Sequence, residues 1–388
     1  MIFVTSYPYV YERHIRVFDF FKKQDNLFFI LPREWKSKGG KVIDHPVRKP
    51  YGTLAPTPAY FWHSRYPIIR GQLKGWMPKT GSILRAHAKP GDVLLTSIEP
   101  NMLVTYFNSR LAHKLGLKHV FITWQNIPYR QRMSGLKLRF TEFLIRENVR
   151  LSAGVMCGTD RAHEMLKPYC APHLKVAVIP QSGVDSDIFK PGVPSAFRSK
   201  YGLEGKFIFL FGAVFDERKG VMTTINAFHK ALQKIHNAHL VMIGIGKLWE
   251  AAQARVKELS LTEHVTFIPW MDNKELPAVF AGVDVLVHPS EPYRDWEEQY
   301  GWTMLQASAS GLPVIATKIG SIPEAVLDGR TGLLVEPKSV EALRDAMETL
   351  VSNDQLRKDL GTAGRTYIEE RFSHRAVAQR MEHFLRTL

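Results

Sequence analysis

The chain has 388 residues, and its 52 Lys and Arg against 37 Asp and Glu give a formal net charge of +15 with neutral histidines. At about 100 to 200 residues per domain this length predicts two domains, and an apolar content of 45% is enough to fill two cores. The composition excludes a disordered, collagen-like or coiled-coil chain. The two cysteines, Cys157 and Cys170, exclude a disulfide framework and most zinc modules, and they favour a reducing compartment.

Short apolar runs alternate with helical patterns along the first half of the chain. The first run, residues 1–5, is too short for a signal peptide or a membrane span, and no later window approaches about 18 uncharged apolar residues. We therefore expect a soluble or peripheral protein of the cytoplasm. The predicted strands are 2–4, 27–31, 93–96, 119–123 and 154–157, and the predicted helices are 12–23, 101–115, 136–151 and 162–169. Strands that alternate with helices predict a parallel sheet covered by helices.

Residues 46–80 interrupt this alternation with prolines, aromatic residues and cations that follow no period. The segment is predicted to be an elaborated loop region. Two interpretations of its aromatic side chains remain open: they contact a sugar or a lipid headgroup layer, or they fill a local satellite core.

The excess of positive charge lies in the first half of the chain. Residues 1–190 hold 29 Lys and Arg and 13 Asp and Glu, a net +16, whereas residues 191–388 hold 23 and 24, a net −1. An ordinary solubilising surface explains a net charge but not this asymmetry. We therefore expect an anionic partner for the first half: a membrane surface, a nucleic acid or a phosphate-bearing substrate.

A second alternating series starts near Lys206 and predicts a second open α/β sheet. Its predicted strands are 207–212, 240–243, 265–268, 284–288, 313–317 and 332–335, and its predicted helices are 221–235, 248–259 and about 302–310. A nearly continuous helical pattern then runs from 341 to 388, with breaks near 353 and at 372–373. The Pro- and Gly-containing linker 189–194 separates the two series, and we place the domain boundary there.

Residues 206–220 read KFIFLFGAVFDERKG, a strand followed by a glycine, an acidic turn and a helix start at Arg218-Lys219-Gly220. Helix amides and two cations at the carboxyl end of a strand suit a phosphate, with Lys219 the preferred point charge. The alternative is a solvated Arg-Lys pair at a turn. Downstream, Gly244-x-Gly lacks the third glycine of the dinucleotide fingerprint, and no acidic residue ends the next strand, so we do not expect a nicotinamide cofactor.

The stretch 283–325 contains the largest number of candidate functional residues. A buried strand ends at His288, an acidic loop follows, and a helix starts near Trp302. Glu298 precedes this helix and can accept hydrogen bonds from hydroxyls, while the first helical amides, at Trp302 and Thr303, attract an anion. The arrangement suits a sugar attached to a phosphate. The alternative is that Glu298 only caps the helix.

The order and spacing of these motifs, together with KVAVIPQSGVD at 175–185, resemble the retaining glycosyltransferases of family 4. The resemblance covers nearly the whole chain and is strongest from 175 to 375. It implies the α/β fold named GT-B, with two Rossmann-like doubly wound domains that face each other across a deep cleft. It also implies an acceptor-binding domain, 1–190 completed by the C-terminal helix 373–388, and a domain that binds a nucleotide-sugar donor, 191–372.

Two departures from the family pattern concern the donor. The family has a Glu-x7-Glu motif whose first Glu contacts the donor sugar and whose second contacts the ribose, and here the motif reads Glu298-x7-Gln306. Gln306 retains a hydrogen-bonding oxygen but no charge. Where the family has Gly-Arg after the first strand of the second domain, this chain has Gly212-Ala213. Arg218 is the candidate replacement for the missing cation.

The resemblance thus assigns Glu298, Lys219 and Arg218 as the catalytic residues. The expected donor-binding residues are Gly212, Gly244, Trp270, Tyr300, Gly301, Trp302, Thr303 and Gln306. By position, Tyr9, Gln125 and Asn126 are expected to contact the acceptor, although Gln125 and Asn126 cannot act as a general base at neutral pH.

The resemblance implies metal-independent, front-face transfer of a hexose, for which we expect UDP-glucose as co-substrate and no other cofactor. We expect the acceptor to be a polysaccharide or a lipid-linked glycan, and the enzyme to lie on the anionic inner face of the plasma membrane. Two alternatives stay open. Ala213 and Gln306 suggest a binding protein that has lost turnover, and the basic first half suggests a nucleic-acid-directed glucosyltransferase, although no nucleic-acid-binding motif is visible.

Overall fold

Apolar runs such as IFVT and LFFILP form strands that are buried along their whole length, because helices cover both faces of their sheets. The computed structural model describes residues 1–36, 51–61 and 71–388 and the backbone of 42–43. These residues divide into two units. Unit 1 consists of Met1–Gly183 and His374–Leu388, and unit 2 of Val184–Ser373. Of the aromatic and proline-rich segment predicted at 46–80, residues 46–50 and 62–70 lie outside the described residues.

The chain enters unit 2 earlier than the linker at 189–194 predicts. Val184 donates its backbone N–H to Phe372 O at 2.7 Å, and the ring of Phe189 lies 6.0 Å from that of Phe280. Arg365 also donates to Phe189 O at 2.7 Å. Residues 184–190 therefore pack with unit 2, which corrects the boundary from 190/191 to 183/184. The second boundary moves by one residue, from 372/373 to 373/374.

Unit 1 is built on a parallel sheet. Its strands are β1 Ile2–Thr5, β2 Leu27–Pro32, β3 Trp35–Lys36, β4 Val42–Ile43, β5 Thr53–Thr57, β6 Val93–Thr96, β7 Lys118–Thr123, β8 Gly154–Cys157 and β9 Lys175–Val178. Its helices up to β9 are α1 Glu12–Ile15, α2 Thr80–His87, α3 Leu103–Lys114, α4 Tyr129–Arg132, α5 Gly135–Leu151 and α6 Asp160–Leu166. Seven of the described strands pair in the order β5-β2-β1-β6-β7-β8-β9, and β3 and β4 form a separate antiparallel pair.

Alternate side chains of β1 enter two different cores, because successive residues of a strand point to opposite faces of the sheet. Phe3 packs with Leu84 of α2 and Ala112 of α3 on one face. Val4 packs with Phe18 and with Met381 on the other face. Both faces of the sheet are therefore buried.

Unit 2 repeats this architecture. Its strands are β10 Phe207–Gly212, β11 Ala238–Ile243, β12 Val265–Ile268, β13 Val285–His288, β14 Val314–Thr317 and β15 Leu333–Val335. Its helices are α7 Phe197–Tyr201, α8 Val221–Ala231, α9 Trp249–Glu258, α10 Leu276–Gly282, α11 Trp302–Ala309, α12 Ile322–Ala325, α13 Val340–Ser352 and α14 Asp354–Arg371. The strands are parallel, in the order β12-β11-β10-β13-β14-β15. The chain thus builds outwards from β10 to β12 and then crosses to the other side of β10 for β13 to β15.

The last helix, α15 His374–Arg386, returns to unit 1. Its buried residues Val377, Met381 and Leu385 recur at helical spacing and join the unit 1 core. Among the described helices, none combines the length and the apolar character that a bilayer crossing requires.

Several elements differ from the predicted ones, and for two of them the sequence shows the physical reason. The helix predicted at 12–23 is the short α1 followed by a 3₁₀ segment, Arg16–Phe20. Ile15, Phe18 and Phe21 are all buried there, and a spacing of three residues places side chains on one line of a 3₁₀ helix. Strand β5 was not predicted because it contains Pro56, which an edge strand tolerates.

Candidate active site

The topology of unit 2 indicates where a ligand binds. In an open α/β sheet, ligands bind beyond the carboxyl ends of the strands at the point where the strand order reverses. In unit 2 this point lies between β10 and β13, which end at Gly212 and His288. The loops that follow these two strands carry Lys219 and Glu298.

Glu298 is the centre of a buried polar cluster. It is 8% exposed, and its Oε2 accepts a hydrogen bond from the Ser290 hydroxyl at 2.9 Å. His288 Nε2 lies 3.3 Å from the same oxygen, and the Lys219 ammonium forms an ion pair with it. The structure therefore brings together two of the three predicted catalytic residues, Lys219 and Glu298. Sequence analysis did not identify His288 and Ser290 as site residues, although both lie where β13 ends.

The environment of Glu298 keeps it ionised. Burial by itself raises the pKa of this carboxyl, but the hydrogen bond from His288 and the charge of Lys219 outweigh burial and hold the pKa well below its ordinary value. At neutral pH, Glu298 is a carboxylate, which accepts hydrogen bonds from hydroxyl groups strongly.

The loop that carries Glu298 is held by residues at and just after the end of β14. Ser321 donates its N–H to Glu298 O at 3.1 Å, and Thr317 donates its hydroxyl to Ser290 O at 2.5 Å. Gly320 has φ +56°, and a Cβ there would lie 2.0 Å from Glu298 O. A glycine is thus required where this backbone passes the site.

Helix α11 begins directly against the cluster. Gly301 occupies its N-cap position with φ +67°, and a Cβ at Gly301 would lie 2.5 Å from His288 Nε2. Because a glycine N-cap has no side chain, the positive end of the helix dipole is not neutralised by a capping group. Trp302 and Thr303 form the first turn, as predicted from the sequence.

Arg218 is held by its own turn. Its guanidinium forms an ion pair with Asp216, with Nε 3.1 Å from Oδ2, and its Cζ lies 4.8 Å from the centre of the Trp296 ring. The hydrogen bond to Asp216 raises the pKa of Arg218 further. Lys219 Nζ lies 4.9 Å from the centre of the same ring. In the structure, Arg218 is engaged by Asp216, whereas Lys219 reaches Glu298.

A cavity of about 360 Å³ lies at the carboxyl ends of β10 and β11, and Thr303 of the first turn of α11 lines it. Its lining includes the predicted donor-binding residues Gly212, Gly244, Trp270 and Thr303. Gly244 has φ +144°, and a Cβ there would lie 1.9 Å from Ala213 O, so a glycine is required where the ends of β10 and β11 approach. Trp270 is 70% exposed and offers a flat apolar surface at the cavity, which a nucleotide base could cover.

Two other predicted donor-binding residues have different surroundings. Tyr300 is buried, its ring lies 5.0 Å from that of Phe372, and its hydroxyl donates to Glu324 Oε2 at 3.4 Å. The Tyr300 side chain therefore helps to hold the loop that carries Glu298, and a contact of Tyr300 with the donor stays a prediction. Gln306 Nε2 donates to Asn273 Oδ1 at 3.1 Å on the partly exposed side of α11.

The structure also corrects one of the residues expected to bind the acceptor. Tyr9 is completely buried in the core of unit 1, so its side chain is not available to a ligand. The other two follow β7: Gln125 Oε1 accepts a hydrogen bond from Arg132 at 3.0 Å, and the backbone O of Asn126 accepts one from Arg161 at 2.8 Å.

Glu99 is a polar residue of unit 1 that sequence analysis missed, although it is the acidic residue that follows β6. Its carboxyl oxygens accept hydrogen bonds from Trp124 N at 2.7 Å and from the Thr123 hydroxyl at 2.8 Å. Burial raises the pKa of Glu99 to about 7 in spite of these hydrogen bonds. Glu99 thus organises the loop that begins at the end of β7.

Comparisons with solved structures define the class of fold. Anabaena HepE in complex with UDP has a TM-score of 0.74 at 17% identity, over 100% of both chains. Sucrose-phosphate synthase from Thermosynechococcus elongatus has a TM-score of 0.72 at 18% identity, over 100% of this chain and 98% of the other. At this level of identity the likeness shows the fold alone, and the fold is GT-B.

The sequence comparisons point to one family. Residues 195–367, all within unit 2, match the family described as glycosyl transferases group 1. The GDP-mannose-dependent alpha-(1-6)-phosphatidylinositol monomannoside mannosyltransferase of Mycolicibacterium smegmatis is 32% identical over 208 residues, 52% of this chain and 54% of the relative. The D-inositol 3-phosphate glycosyltransferase of Paenarthrobacter aurescens is 31% identical over 228 residues, which are 58% of this chain and 54% of the relative. The chain spans about half the length of the curated relatives it matches.

Proposed function

We propose that this protein is a retaining, metal-independent glycosyltransferase that moves a hexose from a nucleotide sugar to a glycan or lipid-linked acceptor. The observation that carries the proposal is the buried cluster of Lys219, Glu298 and His288 at the start of α11, the helix whose first turn lines the cavity in unit 2. The match of residues 195–367 to glycosyl transferases group 1 supports it. We propose donor binding by unit 2 and acceptor binding by unit 1.

The cluster suits both halves of a sugar phosphate. The Glu298 carboxylate accepts hydrogen bonds from sugar hydroxyls, and Lys219 supplies a positive charge for the phosphate. In the structure the two side chains neutralise each other. A ligand that carries hydroxyls next to a phosphate engages both residues and replaces their mutual contact.

The proposed reaction needs no general base from the protein. The bond between the sugar C1 and the β-phosphate oxygen breaks, and its electron pair stays on the phosphate. The acceptor hydroxyl oxygen bonds to C1 from the same face, and its proton goes to the departing phosphate. Lys219 and the first turn of α11 stabilise the charge that grows on the phosphate, and this electrostatic help is the role that a metal would otherwise fill.

The identity of the nucleotide sugar is the more specific part of the proposal. The sequence led us to expect UDP-glucose, whereas the name of the Mycolicibacterium relative specifies GDP-mannose. Titration calorimetry of EDTA-treated protein with UDP, GDP, UDP-glucose and GDP-mannose, followed by assays for slow donor hydrolysis, compares the two directly. We expect one nucleotide series to bind without metal and its sugar to be released. Binding that requires an added divalent cation would contradict the metal-independent mechanism.

One observation favours a second function, that of a nucleotide-sugar-binding protein without turnover. Ala213 stands where the family has an arginine, and Arg218, the candidate replacement, is paired with Asp216. This function predicts donor binding with no hydrolysis and no transfer to any acceptor, so the same experiment distinguishes the two.

We further propose that the protein works at the anionic inner face of the plasma membrane. The name of the Mycolicibacterium relative includes a phosphatidylinositol glycolipid, and the first half of this chain carries the positive charge. Phosphatidylinositol-type acceptors are anionic and lie in a membrane, which such a charge would attract.

A further inference from the structure

Helix α5 of unit 1 exposes large apolar side chains to solvent. Leu136, Phe140 and Phe143 are 82%, 44% and 49% exposed. Their spacing of i, i+4 and i+7 places them on one face of the helix. Single exposed apolar residues are common, but three in line on one helix face form a patch that needs a physical explanation.

The core of unit 1 does not provide that explanation. The opposite side of α5 is already buried: Ile145 and Val149 pack with Phe121 and Val155 of the sheet. The helix therefore has two apolar faces, and only one of them contacts the core.

The exposed face continues onto the neighbouring helix α3. The ring of Tyr106 lies 6.2 Å from that of Phe143 and 6.2 Å from that of Phe107, and Phe107 is itself exposed. We call the residues Phe107, Leu136, Phe140 and Phe143 the α5 patch. The patch thus spans two adjacent helices and is not confined to one turn.

Most of the α5 patch lies in a segment rich in cations. Residues 130–150 contain two acidic residues, Glu142 and Glu147, and six basic ones, a surplus of 6 − 2 = 4 positive charges. Both acidic residues are already bridged to arginines: Glu142 to Arg130 at 3.3 Å and Glu147 to Arg150 at 2.8 Å. The basic residues of this segment, all exposed, are Arg130, Arg132, Lys137, Arg139, Arg146 and Arg150.

We propose that the α5 patch is the surface through which unit 1 docks on an anionic phospholipid bilayer. Leucine and phenylalanine side chains enter the boundary between headgroups and acyl chains, and the surrounding arginines and lysine lie at the level of the lipid phosphates. The proposal locates the membrane contact of the proposed function, and it rests on that function only for the lipid-linked acceptor.

Two other partners are conceivable for this surface, a second copy of the chain and a nucleic acid, and the composition of the α5 patch argues against both. A symmetric dimer through this face would place four surplus positive charges against four more, which opposes association. A nucleic acid would satisfy the cations and could stack bases on the three phenylalanines, but it would leave Leu136, the most exposed residue of the patch, without an apolar partner. An anionic bilayer satisfies the cations and the apolar side chains together.

Vesicle flotation tests the proposal with the full chain. Wild-type protein should float with vesicles of phosphatidylcholine and phosphatidylglycerol at low salt, should not float with phosphatidylcholine alone, and should be released as salt rises. The double variant Leu136→Ser, Phe140→Ser should lose at least about tenfold in apparent vesicle affinity. Lys137→Ser and Arg139→Ser should each lose about fivefold.

Matched controls lie in unit 2. The Ile188 side chain is 43% exposed, a fraction similar to the 44% of Phe140, so Ile188→Ser controls for the loss of an exposed apolar side chain. Lys257 is an exposed lysine of α9, so Lys257→Ser controls for the loss of a charge. Both control variants should float as the wild type does. All variants should keep the wild-type unfolding temperature, because the substituted side chains are exposed.

The possible results separate this proposal from the proposed function. Loss of flotation in the patch variants with unchanged nucleotide binding supports the docking surface. Flotation equal to wild type in the patch variants overturns it, as does wild-type protein that never floats. A change in sedimentation mass without a change in flotation would assign the surface to a second copy of the chain and would overturn the proposal. Loss of binding to a DNA duplex in the patch variants would assign the surface to a nucleic acid and would overturn it as well. If wild type floats but binds no nucleotide, the proposed function fails and the docking surface stands.

Discussion

Replacing Lys219 by methionine tests whether the ion pair between Lys219 and Glu298 stabilises the folded protein at the site. The substitution keeps most of the side-chain volume and removes the cation of a buried ion pair, whose side chains are 14% and 10% exposed. Breaking a buried pair by removing one partner costs about 3 to 5 kcal/mol of stability. We expect about 3 kcal/mol at pH 7, the lower end, because Glu298 keeps its contacts with Ser290 and His288.

The pH dependence of this loss follows from the pKa of Glu298. In the wild type the folded-state pKa is lowered, so the carboxylate contributes stability that is present above its unfolded pKa and is lost as pH falls through the folded value. Without Lys219, burial acts with less opposition, and the pKa of Glu298 rises. The stability difference between wild type and Lys219→Met should therefore be largest near neutral pH and should shrink towards acid pH.

Urea denaturation of wild type and Lys219→Met at several pH values measures this difference. Adding Glu298→Gln to Lys219→Met removes the stranded carboxylate and should restore about 1 to 3 kcal/mol at pH 7. Lys230→Met is the control, since Lys230 pairs with Glu341 on the surface of the same unit and such pairs contribute about 0 to 1 kcal/mol. Equal losses for Lys219→Met and Lys230→Met, or no restoration by Glu298→Gln, would show that the Lys219–Glu298 pair does not stabilise the folded site.

Three further predictions concern single residues. Gly301→Ala places a Cβ 2.5 Å from His288 Nε2 and should weaken nucleotide binding, whereas Gly329→Ala, at a similar φ with no atom within 4 Å, should lose stability through backbone strain alone. The stability of the wild type should fall as pH rises towards about 7, because the raised folded-state pKa of Glu99 means that the native state holds a proton which the unfolded state releases. Glu99→Gln should abolish this fall. Gln306→Ala should raise the KM for the donor with little change in kcat, since Gln306 is expected to contact the ribose and not the reacting atoms.

Calorimetry, denaturation over a pH series and steady-state kinetics measure these three effects in turn. Equal nucleotide affinity in Gly301→Ala and Gly329→Ala would show that the packing of His288 does not matter for binding. A pH slope that persists in Glu99→Gln would assign the slope to another group. A fall in kcat as large as the rise in KM would place Gln306 closer to the reaction than we propose.

Much of the fold follows from local patterns in the sequence. The strands 93–96, 154–157, 207–212 and 265–268 were predicted with the bounds that the structure has. These strands are mainly apolar runs whose carboxyl ends are marked by a polar residue, a glycine or a proline, so their limits are set by neighbours in the chain. The predicted helix at 12–23 was wrong because its buried residues follow a spacing of three, which a search for a helical period does not separate from 3.6.

The candidate site was predictable only in part. The sequence places Lys219 after one strand and Glu298 before a helix, and the parallel topology brings the ends of those strands to one edge. It does not show which partners a side chain selects there. Arg218 pairs with Asp216, and Tyr300 packs on Phe372, because short-range competition among neighbouring groups decides each contact.

The two α/β units, the family resemblance and the region of the site could thus be predicted from the amino-acid sequence, since they depend on periodicity and on the order of motifs. Three features could not be predicted without the fold: the buried pair of Lys219 and Glu298, 79 residues apart, the burial of Tyr9 in a core, and the second apolar face of α5 that stays in solvent. Burial and ion pairing depend on which distant segments pack together, and the local spacing of residues does not specify those partners.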